Sequence, residues 1–515
     1  MPVNTLGREL PDEIPGYGPV RPYNGQDVET PTGTRHAPPL KVCHPRRDKL
    51  LASIDEAIER TGLADGMTVT FHHHFRDGDI LLNMVLDRIA RKGIKGLTVA
   101  PSAFFPVHEP ILDHVRSGVV TRLVGSCNGP VGAGVSKGIV PNPVVLRSHG
   151  GRVRAVHDGE LHIDVAFIAA PECDPYGNVN GVNGPSACGP LGCADIDARY
   201  ADWVVAVTDN LVPYPATPIV ISQTFVDYVV QVDVIGDPKK IVSGTTSITT
   251  DPLKLSIAKL AADFIQEHPL FRDGVSFQAG SGGMSLAAMD YINAAMKKRK
   301  ITADYIVGGT TRVIVEMLRD GTTKKVLDGQ AFDTAAIDSL RDNPCHVEIP
   351  VDFYANVHNR GNVVDLLDFG ILGATEVDLD FNVNVVTHSD GMLLHGIGGH
   401  QDVASGADTT IITVPLVRGR RRITPIVNRV TTVSTPGETV DVVVTDRGIA
   451  INPRRHDLIE HYRHSKLPIV KIDELHHIAL EEANTLPPLA TTDRIIAVVE
   501  NRDGTVLDVV WQPVE

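Results

Sequence analysis

Beyond residue 40 the chain alternates short β-branched runs with stretches whose apolar residues recur at helical spacing. Met67–Phe71, Gly96–Ala100, Ile163–Ile168 and Trp203–Val207 are the runs, and Ile80–Lys92 is one such helical stretch. Near-continuous Val/Ile runs arise in strands buried on both faces. They predict a mainly parallel sheet sandwiched by helices. Residues 1–40 show no periodicity and are rich in Pro, Gly and polar residues, so they read as an extended arm lying over the body or over a partner.

The pattern repeats at an offset of about 200 residues. The segment from Asp65 to His74 recurs from Asp273 to Gly282, and Ile163–Asn180 recurs as Leu367–Asn384. Two open α/β/α domains of one fold are expected, 41–235 and 236–515, with the boundary falling between 225 and 245. In such sheets ligands sit beyond the carboxyl ends of strands, and a duplicated pair can set two such ends face to face.

The 515 residues are 42% hydrophobic and 22% charged, which supports a large core rather than disorder. A net charge of −15 argues against nucleic acid as a partner, because binding a polyanion needs concentrated Lys and Arg. Six scattered cysteines, Cys43, Cys127, Cys173, Cys188, Cys193 and Cys345, read as reduced thiols rather than a disulfide framework. Cys188 and Cys193 lack the second tight ligand pair of a zinc site, and no metal is expected. No apolar run reaches the ~20 residues that span a bilayer, and the start has no secretory pattern. The expectation is a soluble cytoplasmic protein.

Glycine clusters mark the second copy. Gln278-Ala-Gly-Ser-Gly-Gly-Met284 follows a strand and precedes a helix, and His395-Gly-Ile-Gly-Gly-His-Gln-Asp402 follows another run. Such loops let consecutive N–H groups converge on one oxygen, which suits the oxyanion of acyl transfer or a phosphate. Gly280, Ser281, Gly282, Gly398 and Gly399 are the catalytic candidates, although each cluster on its own also reads as a tight turn. Neither matches a P-loop or a dinucleotide fingerprint. His72, His73 and Arg76 end the first strand of copy one, and consecutive side chains of a strand alternate faces, so at most two of the three histidines from His72 to His74 share a target. His149 and Arg152 in Ser148-His-Gly-Gly-Arg152, with His395 and His400, complete the candidates for binding an anionic substrate. A structural role competes with substrate contact at each of them. Arg418, Arg420 and Arg421, in the one dense basic stretch, read either as solvated surface or as an anion site.

From about residue 40 onward the sequence resembles the citrate lyase alpha subunits. The segments that carry the resemblance include Asp65-Gly-Met-Thr-Val-Thr-Phe-His-His73, Ser148-His-Gly-Gly-Arg-Val153, Phe381-Asn-Val-Asn-Val385, Pro415-Leu-Val-Arg-Gly-Arg420 and Val443-Val-Thr-Asp-Arg-Gly-Ile-Ala450. The C-terminal part also looks like the wider acyl-CoA transferase superfamily. The resemblance implies a CoA-transferase-like fold and a transferase exchanging the acetyl group of an acyl-carrier thioester for citrate through a mixed anhydride. It implies no bound cofactor, acetyl-CoA or the CoA-like arm of a carrier as donor, beta (lyase) and gamma (carrier) subunits as partners, and an oligomer. Arg418, Arg420 and Arg421 are then candidates to meet the donor's phosphates. Another acid acceptor, malonate or citramalate, and a non-catalytic scaffold that docks the carrier are the alternatives. Many related transferases attack with a glutamate, which makes Glu316 in Glu316-Met-Leu-Arg-Asp-Gly321 a candidate nucleophile. The residues before it depart from the relatives' motif, and an apolar stripe of Val313, Ile314, Met317 and Leu318 places Glu316 on the polar face of a helix, spaced for ion pairs with Arg312 and Arg319.

Overall fold

Two large sheets organise the chain in its computed structural model, which describes residues 2–26, 34–42, 48–242, 247–484 and 489–514. Cys43 lies outside the described residues, and the other five cysteines are free. The expected strands form at Thr68–Thr70, Leu97–Val99, Val165–Ala170 and Trp203–Thr208, and the expected helix spans Leu81–Arg91. With Val120–Leu123, Tyr228–Gln231 and Leu50–Leu51 these strands build a seven-stranded sheet in which every pairing is parallel.

The second sheet has nine strands and uses the same winding. In the first, the strand that opens the copy lies between Leu97–Val99 and Val165–Ala170. In the second, Ser276–Ala279 lies between Tyr305–Thr310 and Phe369–Gly373, followed outward by Thr409–Thr413 and Val442–Val444. The likeness extends to individual hydrogen bonds. Asp164 Oδ2 accepts from Thr68 N at 2.7 Å, and Asp368 Oδ2 accepts from Ser276 N at 2.7 Å. The hairpin Glu172–Cys173 with Val179–Asn180 matches Glu376–Asp378 with Val383–Asn384, and in both the Asn amide donates to the Glu carboxylate at 2.9 Å. The reversal of winding direction beside the opening strand is where open α/β sheets leave a crevice for ligands.

The helices Pro252–Glu267 and Gly283–Arg299 pack on the second sheet through Ile257, Phe264, Met289 and Ile292. A single core cluster joins Val69 and Phe167 of the first sheet to Ala331, Tyr354 and Val403 of the second half. The chain's end returns to the first half, where Thr491–Glu500 pairs in parallel with Val144–Leu146 and antiparallel with Val506–Pro513. The arm packs on this hairpin: Leu10 and Ile14 bury against Val498, Val506 and Val509, and the Asn4 amide donates to Leu507 O at 2.8 Å.

Candidate active site

The chain leaves Thr68–Thr70 at its carboxyl end as Phe71-His72-His73-His74, and strand alternation sorts the histidines. His72 is buried, accepting from Ala169 N at Nε2 (3.2 Å) and lying 2.6 Å from His74 through the two Nδ1 atoms. Both of its nitrogens are therefore used inside the first half. His73 points the other way, to Gln330 Oε1 of the second sheet at 3.1 Å and to the Ser102 hydroxyl. Its ring stacks on that of His149 with centroids 5.7 Å apart and planes 14° apart. The His149 ring nitrogens make no hydrogen bond among the described residues, which leaves them available to a ligand. Arg76, at φ 53°, lies over the rings of Phe105 at 5.1 Å and Phe332 at 5.0 Å.

His149 opens the helix His149–His157, and that end is sewn to the second glycine loop. Ser148 caps the helix by accepting from Gly151 N at 3.0 Å. His149 N donates to Gly398 O at 2.9 Å. Asp402, buried, accepts from Ser148 Oγ at 2.8 Å and Gly150 N at 2.9 Å, with Arg502 Nε 3.8 Å away. Gly398 takes φ 62°, a conformation glycine adopts without strain, and a Cβ there would stand 3.9 Å from His149 Nε2. At Gly399 a Cβ would stand 2.7 Å from the Tyr354 hydroxyl, which donates to Gln278 Oε1 at 2.8 Å.

The Gly280–Gly283 loop continues the strand that carries Gln278. Gly280 N donates to Ile371 O at 2.8 Å, so its own N–H is committed to the sheet. Gly282 starts the 17-residue helix Gly283–Arg299 with no side-chain cap and open space where a Cβ would be. A helix end of this kind carries the positive pole of the helix dipole, and here Thr249 N donates to Gly283 O at 3.2 Å. His400 donates from Nε2 to Gly373 O at 2.9 Å and accepts at Nδ1 from Thr435 Oγ1 at 2.8 Å. Both glycine loops thus meet the carboxyl end of one strand, Phe369–Gly373.

The other candidates divide. Arg152 is buried with its terminal nitrogens on Asp197 at 2.9 Å, Thr70 Oγ1 at 2.9 Å and Ala100 O at 3.0 Å, which ties the His149 helix to the first sheet. His395 is half-buried and donates from Nδ1 to Gly396 O at 2.7 Å, leaving Nε2 as an acceptor. Arg418, Arg420 and Arg421 line a cleft of about 400 Å³ together with His388, Ser389 and Leu394, next in sequence to His395. Glu316 is exposed on the helix Arg312–Arg319 and forms no ion pair with Arg312 or Arg319 among the described residues. Gln278, Gln330, Tyr354 and Asp402 were not singled out by the sequence pattern as site residues. Single polar residues at the ends of strands and helices carry no periodic signal.

Burial keeps the site's histidines neutral. Desolvation, with Arg152 nearby, pushes His149 down to about 4. Desolvation also holds His400 and His74 at about 4 and His73 well below 6.5, the last with help from His149 and Arg76. An unfolded histidine takes up a proton near pH 6.5, whereas these do so only near 4 when folded. Their share of the stability is fully present above 6.5 and is lost as pH falls towards 4. Urea midpoints measured across that interval are expected to decline steadily, and a flat profile would show that these rings are not held neutral.

The family model for citrate lyase, alpha subunit (CitF), matches residues 47–513. This chain belongs to the citrate lyase alpha subunit family. It is 47% identical over 465 residues to the citrate lyase alpha chain of Haemophilus influenzae, covering 90% of this chain and 93% of that one. The match to the citrate lyase alpha chain of Escherichia coli is also 47%, over 468 residues and 91% of each. A crystal structure of a citrate lyase alpha subunit from Streptococcus mutans, in complex with citrate, superposes with a TM-score of 0.95 at 48% identity, covering 99% of this chain and 100% of that one. The two-sheet architecture is CoA-transferase-like, and membership of the family makes the chain a transferase of a multi-subunit citrate lyase complex. No helix among the described residues is long and apolar enough to cross a membrane.

Proposed function

We propose that the chain exchanges acetyl for citrate on a thioester, with the reaction centred where His73, His149 and the two glycine loops gather. The observation that supports this most directly is the attachment of the His149 helix to the Gly398 loop by Asp402, which sets a free imidazole beside uncapped backbone. A citrate carboxylate oxygen attacks the acetyl carbonyl carbon. A C–O bond forms, the C–S bond breaks, and the thiolate leaves with its electron pair. The thiolate then attacks the citryl carbonyl of the mixed anhydride, and acetate departs. Each attack builds negative charge on a carbonyl oxygen, and in this scheme N–H groups of Ser281 and Gly282 or of Gly398 and Gly399 receive it. One thioester replaces another, so the exchange is nearly balanced in free energy and the site's task is oxyanion stabilisation with water excluded.

In this reading an arm at 1–40 and two units, 41–235 and 236–515, divide the work. The first unit presents His73 and His149, and the second presents the glycine loops. Acetyl-CoA or the CoA-like arm of a gamma carrier subunit enters along the cleft of Arg418, Arg420 and Arg421, and a beta subunit cleaves the citryl thioester in the cytoplasm. The isolated chain should be mixed with acetyl-CoA and a panel of citrate, citramalate and malonate, with the thioesters identified by mass. Citryl-CoA forming fastest is the expected result. Faster malonyl-CoA would reassign the acceptor, acetyl-CoA loss with no acid present would make the chain a hydrolase, and an inert chain would make it a docking scaffold.

Glu316 takes no covalent part in this scheme. It is exposed on the Arg312–Arg319 helix, whose buried side is Ile314, Val315, Met317 and Leu318. Glu316→Gln is expected to turn over within about twofold of the unchanged chain, as surface substitutions away from a site generally do. Borohydride treatment after acetyl-CoA alone should leave the Glu316 peptide at its native mass. A CoA-dependent mass change there, with loss of activity in the variant, would replace the anhydride route with a glutamyl thioester.

A further inference from the structure

Three metal-ligating side chains meet at the amino-terminal edge of the first sheet, away from the strand ends that carry the candidate site. They are His36, from the segment that follows the arm's first turns, His162, and Asp202. One ligand atom from each lies within 4.8 Å of the others. His162 Nε2 stands 3.1 Å from Asp202 Oδ2 and 3.7 Å from Asp164 Oδ1, and the His36 and His162 rings meet edge-on with centroids 5.3 Å apart.

The surrounding structure holds the group in place. Asp164 and Asp202 immediately precede Val165–Ala170 and Trp203–Thr208, two strands paired with Val165 opposite Trp203, so strand register puts both carboxylates at one edge. His36 N donates to His157 O at 2.9 Å, at the far end of the helix that begins with His149. Two atoms of the cluster are closed off from solvent without a hydrogen-bond partner, His36 Nε2 and Asp202 Oδ1. Unpaired polar atoms of this kind are costly, and a bound cation would satisfy both.

We propose that His36, His162 and Asp202 bind a zinc ion, with Asp164 or a water as fourth ligand. Two imidazoles and a carboxylate are a zinc donor set, whereas calcium and magnesium favour all-oxygen shells. In a tetrahedral zinc site ligand atoms at ~2.0–2.1 Å from the metal stand roughly 3.3 Å from one another, so the cluster closes by small side-chain adjustments. The ion joins the 34–42 segment to the first sheet beneath the His149 helix. It takes no part in acyl transfer.

The test uses the full chain, stripped with chelator, then incubated with zinc(II) or magnesium(II) and desalted. Retained metal is counted by mass spectrometry, and hydrogen exchange is followed in the peptide covering 34–42. Zinc is expected to remain at one equivalent, magnesium not at all. At zinc tenfold above its dissociation constant, opening of the 34–42 segment should slow about tenfold. His36→Ala, which lies outside both sheets and leaves them folded, should lose that equivalent and that protection, and Asp202→Asn should lose them too. Zinc retained equally by all three chains, or by none, would overturn the proposal, as would exchange in 34–42 that ignores zinc.

Discussion

Gly399→Ala is expected to lower transferase turnover about 100-fold, the scale of penalty that a misplacement of about 1 Å imposes on a positioned reaction. The added methyl would stand 2.7 Å from the Tyr354 hydroxyl, with the ring carbons Cε1 and Cζ both at 3.5 Å. Something must shift. Tyr354 is buried and donates to Gln278 Oε1 at 2.8 Å, so the shift falls on the loop or on the strand leading to Gly280. The hydroxyl is the whole of the overlap, because 3.5 Å to the ring is ordinary contact. Tyr354→Phe in the Gly399→Ala background is therefore expected to recover most of the lost turnover, despite leaving Gln278 Oε1 short of a donor. Turnover and urea midpoint together decide the matter. Full activity in Gly399→Ala at unchanged stability would take the loop out of the site, and no recovery in the double variant would place the damage elsewhere than at Tyr354.

The residues of that argument show what sequence pattern can and cannot reach. Gly398 and Gly399 stand out because glycine clusters are rare and have a physical use. The duplication stands out because two copies must satisfy the same winding, down to Asp164 and Asp368 performing one task. Tyr354 and Gln278 do not, since their pairing spans 76 residues within the second half, beyond the reach of any local periodicity. Arg152 shows where a sequence reading and packing can differ. An arginine beside a Ser-His-Gly-Gly stretch reads as an anion binder, yet the helical turn carries it inward to Asp197, and the neighbouring His149 faces the loop instead. Among three consecutive histidines, alternation limits the choice to one face or the other, and only Gln330 of the second sheet identifies His73 as the one turned towards it.

Asp402→Ala is expected to cost about 3–5 kcal/mol of stability and, where the chain remains folded, most of its turnover. The stability figure is the usual penalty for removing one partner from a buried charged network. Asp402 has no exposure and holds three elements at once: the Ser148 hydroxyl, Gly150 N and, more loosely, Arg502. No other side chain can fill in, because the approach is closed. A Cβ on Gly150 would lie 2.5 Å from Asp402 Oδ1 and 2.3 Å from Ala355 O. With the carboxylate gone, Gly150 N–H and the Ser148 hydroxyl lose their acceptor, Arg502 keeps only Ala355 O at 3.3 Å and Asp365 at 3.6 Å, and the His149 helix is free to slip against Gly398. Asp402→Asn should be much milder. Burial pushes the Asp402 carboxyl above its ordinary range, although Arg502 and the two donors pull it back, so an amide of the same shape gives up part of a charge that is costly to bury. The amide can accept from Gly150 N with its oxygen and donate to Ser148 Oγ with its nitrogen. Urea unfolding gives the stability difference, and turnover assayed well below the midpoint gives the positional effect. If Asp402→Ala unfolds within about 1 kcal/mol of the unchanged chain, the contact between the His149 helix and the Gly398 loop does not rest on this carboxylate. If Asp402→Asn is as damaged as Asp402→Ala, the charge on Arg502 matters more to the junction than the two hydrogen bonds.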